Sequence, residues 1–309
     1  MPPPIDVSIV LPVFNEVGHL ADEIERIRKG MDASELTYEI IVVDDGSTDG
    51  TAEAATRIED IRYLRFAHNR GSGSARKAGT QIARGSVVVW TDADMTYPNH
   101  EIPLLVAALP GNDQVVGARK TEQGRHRAAR VPAKWAIRRL AEYLTDARIP
   151  DLNSGFRAFR REVGAQFLHL LPPGFSCVTT LTMAFLNNGY SVAYLPIDYA
   201  PRAGESKFHW WRDSRRYLLQ VLRMMLLYNP VRVFMPAAAV LGTIGIVKVA
   251  FDLVTKDLRL ATNTIALLVA AAALGLVALL ADLIVTLNRP KDLVLPAVAE
   301  RIEPDLPPA

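Results

Sequence analysis

Cysteine is nearly missing from this chain, since Cys177 is the single one among 309 residues. An intramolecular disulfide is therefore excluded, and Cys177 is expected to pack as a small hydrophobic residue. The six histidines are scattered without the spacing of metal ligands, so surface or core roles are expected for them. The formal net charge is only +2, which gives no global reason to expect a nucleic acid partner.

The amino terminus lacks the basic and then apolar pattern of a signal peptide. Met1 is followed by three prolines and then by a strand-like run. The first two hundred residues have the mixed composition of a soluble domain. We therefore expect residues 1–208 to form a cytosolic catalytic domain.

Apolar residues are concentrated near the carboxyl terminus. They make up 50% of the chain, and the mean hydropathy of +0.12 is high for a soluble enzyme. Residues 231–251 and 262–287 are each long enough to cross a bilayer, which takes roughly 20 apolar residues. The sequence thus predicts a transmembrane hairpin over 230–289, with a polar connection at 252–261 and a tail at 290–309.

Arginines and lysines flank this hairpin on one side. Because such residues favour the cytoplasmic face, both termini are expected in the cytoplasm and the protein in the cytoplasmic membrane. Residues 209–229 show one apolar and one basic helical face, which predicts an amphipathic helix in the membrane interface. An ordinary amphipathic helix packed on the catalytic domain is the alternative.

The first hundred residues alternate strand-like and helix-like patterns, as in a parallel α/β sheet. The predicted strands are Val7–Pro12, Glu39–Val43 and Ser86–Trp90, and the predicted helices are Asn15–Lys29, Thr51–Ile58 and Ser72–Ala83.

Two acidic clusters follow predicted strands. Asp44 and Asp45 follow the second strand, and Asp92 and Asp94 follow the third. The carboxyl edge of such a sheet is where ligands bind. Alternating carboxylates suit Mg²⁺ or Mn²⁺ bridging a diphosphate. Two acidic residues in a surface turn are common, so this pattern gains weight from the motifs around it.

Three motifs, in order and spacing, resemble the family-2 glycosyltransferases of GT-A fold: Leu11-Pro12-Val13-Phe14-Asn15-Glu16, Val42-Val43-Asp44-Asp45-Gly46-Ser47-Thr48-Asp49 and Thr91-Asp92-Ala93-Asp94. The resemblance implies a Rossmann-like nucleotide-sugar domain. It implies that Asp92 and Asp94 hold the metal and that the nucleotide-sugar contacts Pro12, Asn15, Glu16, Asp44, Asp45, Ser47, Asp92 and Asp94. Asn69-Arg70-Gly71-Ser72-Gly73 resembles the family's Gly-rich segment, without the basic residue often found at Ser72.

The second half of the catalytic domain narrows this resemblance. Gly117-Ala118-Arg119, Asp151-Leu152-Asn153-Ser154-Gly155-Phe156-Arg157 and Gly204-Glu205-Ser206-Lys207-Phe208 resemble the branch with dolichyl-phosphate mannose synthase and bacterial polyprenyl-phosphate sugar synthases. The Gln-x-x-Arg-Trp signature of processive synthases is absent. The branch implies inverting transfer of one hexose from a UDP- or GDP-sugar to a polyprenyl phosphate.

A lipid monophosphate needs positive charge more than a general base, because its second pKa near ~6 leaves it nucleophilic at neutral pH. Arg119, Arg130, Arg157 and Lys207 are therefore the predicted acceptor-phosphate residues, and the predicted catalytic set is Asp94, Arg119, Arg157 and Lys207. The stretch from Arg119 to Arg139 carries eight basic residues against Glu122. Much of it could instead be a surface that faces lipid headgroups.

Other readings remain open at this point. Asp151 and Arg157 could form a structural ion pair. The acceptor could be a hydroxyl group on a glycolipid, or the protein could bind a nucleotide-sugar at the membrane without turning it over. The base and the sugar are open, and a homo-oligomer formed through the transmembrane helices is expected.

Overall fold

The computed structural model describes residues 4–120, 138–143, 145–200, 219–220, 222–255 and 259–287. The chain divides into two compact units, one of residues 1–217 with 294–309 and one of residues 218–293. The strands of the first unit are β1 Val7–Val13, β2 Tyr38–Asp44, β3 Ile61–Arg65, β4 Val87–Trp90, β5 Gln114–Arg119, β6 Arg157–Arg160 and β7 Val192–Ile197. Its helices are α1 Leu20–Asp32, α2 Thr51–Ala55, α3 Ser72–Ile82, α4 Ile102–Ala107, α5 Arg161–Gln166 and α6 Cys177–Asn187.

The seven strands form one mixed sheet in the order β3-β2-β1-β4-β6-β5-β7. Strands β1 to β4 are parallel, which confirms the predicted α/β arrangement of the first hundred residues. The second half departs from it, because β6 runs antiparallel to both β4 and β5. Strand β7 is parallel to β5. The fold is therefore a mixed α/β sheet of GT-A type.

The central strands are continuous apolar runs because helices cover the sheet. Every residue of β1 except Pro12 is buried, and in β2 every residue after Tyr38 is buried. Such strands lack the alternation of a sheet with one wet face. Ile9, Leu11 and Val42 lie in the main hydrophobic core against α1. This rigid centre positions the loops that follow each strand.

The bounds of two predicted helices are wrong, and the first helix ends at Asp32 rather than Lys29. The first helix begins at Leu20 rather than Asn15, because Asn15 adopts a left-handed backbone with φ of 55°. A turn follows, in which the Glu16 carbonyl accepts hydrogen bonds from the amides of His19 and Leu20, both 3.0 Å. The second helix ends at Ala55 rather than Ile58.

The second unit contains two long apolar helices, α7 Pro230–Thr255 and α8 Thr262–Leu287, of 26 residues each. Their most apolar windows have mean hydropathies of 1.9 and 2.6, so both are long and apolar enough to cross a membrane. The predicted spans correspond to these helices. Most of the predicted interface helix at 209–229 lies outside the described residues, although 222–228 are helical.

Asp252 joins the two helices of the hairpin. It was predicted in the polar connection, but it lies in the last turn of α7 and is fully buried. Its Oδ2 atom accepts hydrogen bonds from the Ala261 amide, at 2.9 Å, and from the Thr264 hydroxyl. The Asp252 side chain therefore caps the start of α8.

Candidate active site at the carboxyl edge of the sheet

Strand register brings the predicted motifs to one edge of the sheet. Strands β1 and β2 end together, with Val13 opposite Asp44. Strand β4 ends at Trp90, opposite the first residue of the antiparallel β6, Arg157. Strand β5 ends beside β7 at Arg119. The loops after β1, β2, β4, β5 and β7 and the loop before β6 therefore share this edge.

The loops after β1 and β2 are fastened to each other through Asn15. The backbone amide of Asn15 donates to the Ser47 hydroxyl at 3.0 Å. The side-chain Oδ1 of Asn15 accepts from the backbone amide of Thr48 at 2.8 Å. The Glu16 amide donates to the Thr51 hydroxyl at 3.0 Å. Pro12 is half-buried at the end of β1. Hydrogen bonds thus hold Asn15 and Glu16 of the first loop against the loop that contains Ser47.

Asp44 is fully buried at the end of β2. Its Oδ1 accepts from the Ser47 amide at 2.8 Å, its Oδ2 accepts from the Tyr63 hydroxyl at 2.7 Å, and Arg65 Nε lies 3.5 Å away. Burial and the Asp44 hydrogen bond raise the pKa of Tyr63, which therefore remains a donor. Asp44 holds the loop after β2 in place through the Ser47 amide, and its contact with the nucleoside stays a prediction.

Asp45 holds the glycine-rich segment. Its two carboxylate oxygens accept hydrogen bonds from the amides of Arg70, at 2.6 Å, and Gly71, at 2.8 Å. Burial raises the pKa of this carboxyl group, against the effect of the two amides. A Cβ atom on Gly73 would lie 2.2 Å from the Pro172 carbonyl oxygen. Glycine is required there because the loop at 172–174 packs directly on the start of α3.

Asp92 and Asp94 both belong to the loop after β4. Asp92 forms an ion pair with Arg76 of α3. Asp94 is 8% exposed, and its Oδ1 accepts from the Thr96 amide at 3.3 Å and from the Thr96 hydroxyl. Met95, which lies between Asp94 and Thr96, has a left-handed backbone with φ of 62°. The loop is therefore held in one specific conformation.

Glu23 of α1 supports this loop from beneath. Its Oε2 accepts from the Met95 amide at 2.9 Å and its Oε1 from the Asn99 side chain at 2.7 Å. Arg26 pairs with it at 3.1 Å. Burial raises the pKa of Glu23, and the negative charge of Asp94 adds to that effect. Sequence reasoning missed Glu23, because an acidic residue in an amphipathic helix gives no signal of burial.

Two tyrosines connect the acidic loop to Arg119. The ring centroids of Tyr97 and Tyr199 lie 5.2 Å apart, and the Arg119 guanidinium lies 5.2 Å from the Tyr199 ring centroid. The Tyr97 hydroxyl accepts from the Gly155 amide at 2.7 Å. Desolvation and the charge of Asp92 raise the pKa of Tyr97. Neither tyrosine was predicted, although Tyr97 follows Asp94 by three residues.

Arg119 makes a two-pronged ion pair with Asp151. Its Nε lies 2.6 Å from Oδ2 and its Nη2 lies 2.9 Å from Oδ1. Burial by itself would raise the pKa of Asp151, but the hydrogen bonds and the charge of Arg119 outweigh it and lower that pKa. The alternative ion pair of Asp151 with Arg157 is therefore wrong.

Arg157 has no exposed surface. Its Nη1 donates to the Val178 carbonyl at 2.6 Å and to the Thr182 hydroxyl at 2.9 Å, and its Nη2 donates to the Ser154 carbonyl. Burial lowers the pKa of Arg157 to about 10. These contacts give Arg157 a supporting place beneath the site. The other predicted acceptor residues, Arg130 and Lys207, lie outside the described residues.

The acidic loop has the donor chemistry of a divalent cation site. Asp92 and Asp94 supply hard oxygen ligands of the kind that Mg²⁺ and Mn²⁺ prefer. Within the described ranges, no cluster of three or more His, Cys, Asp or Glu side chains could hold a metal. Two carboxylates fit a cation that takes its remaining ligands from water and a diphosphate.

Comparison with protein families gives two matches. Glycosyl transferase family 2 matches residues 8–166, and the GtrB C-terminal hairpin matches residues 229–287. The first match spans the sheet up to α5, including the loops after β1, β2 and β4. The second match spans α7 and α8.

Curated relatives are identical to this chain at about a third of the aligned positions. The undecaprenyl-phosphate 4-deoxy-4-formamido-L-arabinose transferase of Proteus mirabilis is 32% identical over 225 residues, which cover 71% of this chain and 65% of that protein. Its namesake in Aeromonas hydrophila is 32% identical over 212 residues, which cover 65% of this chain and 62% of that protein. The chain thus spans less than two thirds of the length of these relatives.

Solved structures agree with the fold. A mycobacterial protein has a TM-score of 0.59 at 22% identity and covers 71% of this chain and 74% of its own. Glucosyl-3-phosphoglycerate synthase from Mycobacterium tuberculosis, in complex with Mn²⁺, UDP and phosphoglyceric acid, has a TM-score of 0.57 at 24% identity. That alignment covers 71% of this chain and 78% of the synthase.

Proposed function

This chain belongs to glycosyl transferase family 2, and from that premise we propose that it transfers one sugar from a nucleoside diphosphate sugar to a polyprenyl phosphate. One observation carries the proposal. The acidic loop of Asp92 and Asp94 and the basic Arg119 meet at one edge of the sheet, connected through Tyr97 and Tyr199. Groups suited to a diphosphate and to a phosphate are thereby brought together.

The donor would lie over the loops after β1 and β2. Asn15, Glu16 and Ser47 would contact the nucleoside, because hydrogen bonds hold their two loops together at the same edge of the sheet as the acidic loop. A Mg²⁺ or Mn²⁺ ion held by Asp92 and Asp94 would neutralise charge on the leaving diphosphate. The structure of glucosyl-3-phosphoglycerate synthase holds UDP with Mn²⁺, which supports a uridine donor. A GDP-sugar and the identity of the hexose remain to be tested.

The acceptor phosphate would contact Arg119. An oxygen of the lipid phosphate attacks the anomeric carbon, the bond from that carbon to the diphosphate breaks, and its electron pair leaves with the nucleoside diphosphate. This displacement inverts the anomeric configuration. The phosphate is already deprotonated at neutral pH, so no side chain has to take a proton. Arg130 and Lys207 are proposed to complete the acceptor site, with Arg157 supporting it from beneath.

The apolar helices α7 and α8 support a membrane location for the acceptor. The names of the curated relatives specify undecaprenyl phosphate, and a polyprenyl phosphate is confined to a bilayer. We propose that the sheet unit works at the cytoplasmic face, that the hairpin anchors it, and that residues 209–229 lie in the interface. Association into a homo-oligomer stays a prediction.

The test is transfer of radiolabelled sugar from a panel of UDP- and GDP-sugars to undecaprenyl phosphate by the full chain in detergent. We expect one donor to give a lipid product that requires Mg²⁺ or Mn²⁺ and disappears with EDTA. Proton NMR of the product should show an inverted anomeric centre. A donor that is bound or hydrolysed without labelling the lipid phosphate would contradict the acceptor and favour a hydroxyl acceptor or a binding protein.

A further inference from the structure

The ion pair between Arg76 and Asp92 is unequally exposed. The Arg76 side chain is 2% exposed and that of Asp92 is 28% exposed. Arg76 extends from α3 beneath the acidic loop, with its guanidinium carbon 5.8 Å from the centroid of the Trp90 ring. Asp92 is thus the member of the pair that a ligand can reach, and Arg76 acts on the ligand through it.

The pair occupies space that Gly155 leaves for it. A Cβ atom at residue 155 would lie 2.9 Å from Asp92 Oδ2 and 3.1 Å from Arg76 Nη2. The backbone of Gly155 is not left-handed. Glycine is needed there because a Cβ atom would not fit beside the ion pair. The Gly155 amide is also bonded to Tyr97, which holds the segment before β6 against the pair.

The charge of Arg76 is retained in spite of burial. A guanidinium keeps its proton in proteins, and the Arg76 guanidinium has the Asp92 carboxylate as its ion-pair partner. Asp92 is therefore the anionic partner on which the buried guanidinium depends, and separating a buried pair is costly.

The charges at the acidic loop follow from this pairing. Asp92 and Asp94 contribute −2 and Arg76 contributes +1. Glu23 beneath the loop is paired with Arg26 and adds no net charge, so an entering cation meets −1. A strongly hydrated divalent ion binds poorly to so little charge. A nucleoside diphosphate brings the missing negative charge with it.

We infer that Arg76 is a positioning residue that acts through Asp92: it neutralises that carboxylate in the empty site and so makes cation binding depend on the nucleotide. The inference rests on the proposed function, since it takes the acidic loop as the cation site. Arg76 lies outside every motif that the sequence singled out.

Titration with Mn²⁺, followed by the loss of the free-ion EPR signal, tests this on the full chain in detergent. Wild-type protein should bind Mn²⁺ weakly alone and at least about tenfold more tightly with UDP or GDP. Arg76→Gln and Arg76→Met remove the charge, so they should bind Mn²⁺ alone about tenfold more tightly than wild type. Arg76→Lys keeps the charge and should stay within about threefold of wild type.

A structural role alone would predict weaker Mn²⁺ binding, or none, when Arg76 is changed. The inference is overturned if neither folded neutral variant binds Mn²⁺ alone more tightly, or if Arg76→Lys shows the same rise. Arg76→Gln can still donate to Asp92, so it decides the matter where Arg76→Met does not fold. Failure of both UDP and GDP to affect Mn²⁺ binding in wild type would overturn the nucleotide dependence together with the proposed function. Failure of the Arg76 variants alone overturns the role of Arg76 and leaves the proposed function standing.

Discussion

The sheet unit and the helical hairpin handle polar and apolar groups in opposite ways. The sheet unit buries charged side chains such as Glu23, Asp44 and Arg157, each with specific partners. The hairpin exposes large apolar side chains, among them Val254 at 85% and Leu287 at 71%. Burying charge costs free energy unless it is paired, and exposing apolar area costs free energy only in water. The sheet unit is therefore suited to holding charged side chains in fixed positions at a site. The hairpin is suited to a lipid environment.

Among the substitutions that test this contrast between the two units, Asp94→Asn is expected to have the largest effect. The substitution removes one charge from the acidic loop at nearly constant volume, so transfer should fall about a thousandfold while the sheet unit stays folded. Turnover with saturating Mg²⁺ measures the loss of transfer, and circular dichroism measures whether the protein is folded. Asp113→Asn is the matched control, because Asp113 is also buried but precedes β5 at the opposite edge. Near-normal turnover by Asp94→Asn would contradict the site.

Asp151→Asn tests whether buried charge in the sheet unit is held by pairing. Losing the carboxylate leaves Arg119 buried without its partner, which should lower the free energy of unfolding by about 3 kcal/mol at neutral pH. Because the folded pKa of Asp151 is lowered, the stabilisation is complete above its unfolded value near ~4 and is lost as the pH falls through the folded pKa. The difference in the free energy of unfolding between wild type and Asp151→Asn should therefore shrink as the pH falls.

Denaturant unfolding of the full chain, followed by tryptophan fluorescence between pH 3 and pH 7, measures this difference. Asp198→Asn is the control, since its ion pair with Lys120 is exposed and should contribute little. A cost for Asp151→Asn that does not change with pH would show that packing, rather than the ion pair, accounts for it.

Gly73→Ala tests the close packing of the sheet unit without changing charge. The new methyl group would meet the Pro172 carbonyl oxygen at 2.2 Å, so we expect a cost of about 1–3 kcal/mol. Gly174→Ala, with nothing within 4 Å of the added atom, should have little effect. Equal stabilities of these two variants in thermal unfolding would contradict the close contact.

The smallest effect is expected in the hairpin, from Asp252→Ala. Loss of the cap on α8 should cost about 1–2 kcal/mol in detergent and leave nucleotide binding unchanged. Thr243→Val is the control, because the Thr243 hydroxyl bonds to Ala239 within its own helix. Unfolding followed by helical circular dichroism measures the cost. A loss of nucleotide binding in Asp252→Ala would break the separation of roles between the two units.

Local sequence patterns predicted the parts of this protein that depend on neighbours along the chain. Strands β1, β2 and β4, the two apolar helices and the acidic loops follow from apolar runs and turn residues, and all were predicted. Strand β6 was not, because four residues that run antiparallel carry no periodic signal.

The missed side chains are those whose roles depend on distant partners. Arg76 is 16 residues from Asp92, and Glu23 is 72 residues from Met95. Arg157 was predicted to bind phosphate, yet its fully buried contacts are with carbonyl and hydroxyl groups of α6 and the segment before β6. Charge in a sequence indicates a possible ligand, and only the tertiary fold decides whether that charge reaches solvent.

The contact between the glycine-rich segment and the loop at 172–174 also fixes an order of events during synthesis. The Gly73 amide donates to the Pro173 carbonyl at 2.7 Å, across 100 residues of chain. At about 5–20 residues per second, a ribosome needs several seconds to pass from one to the other. Through that interval α3 has no covering loop, and the edge of the sheet is incomplete. A nascent chain therefore forms the loops after β1 and β2 early, and the start of α3 gains its contact with residues 172–174 only when that later loop has emerged.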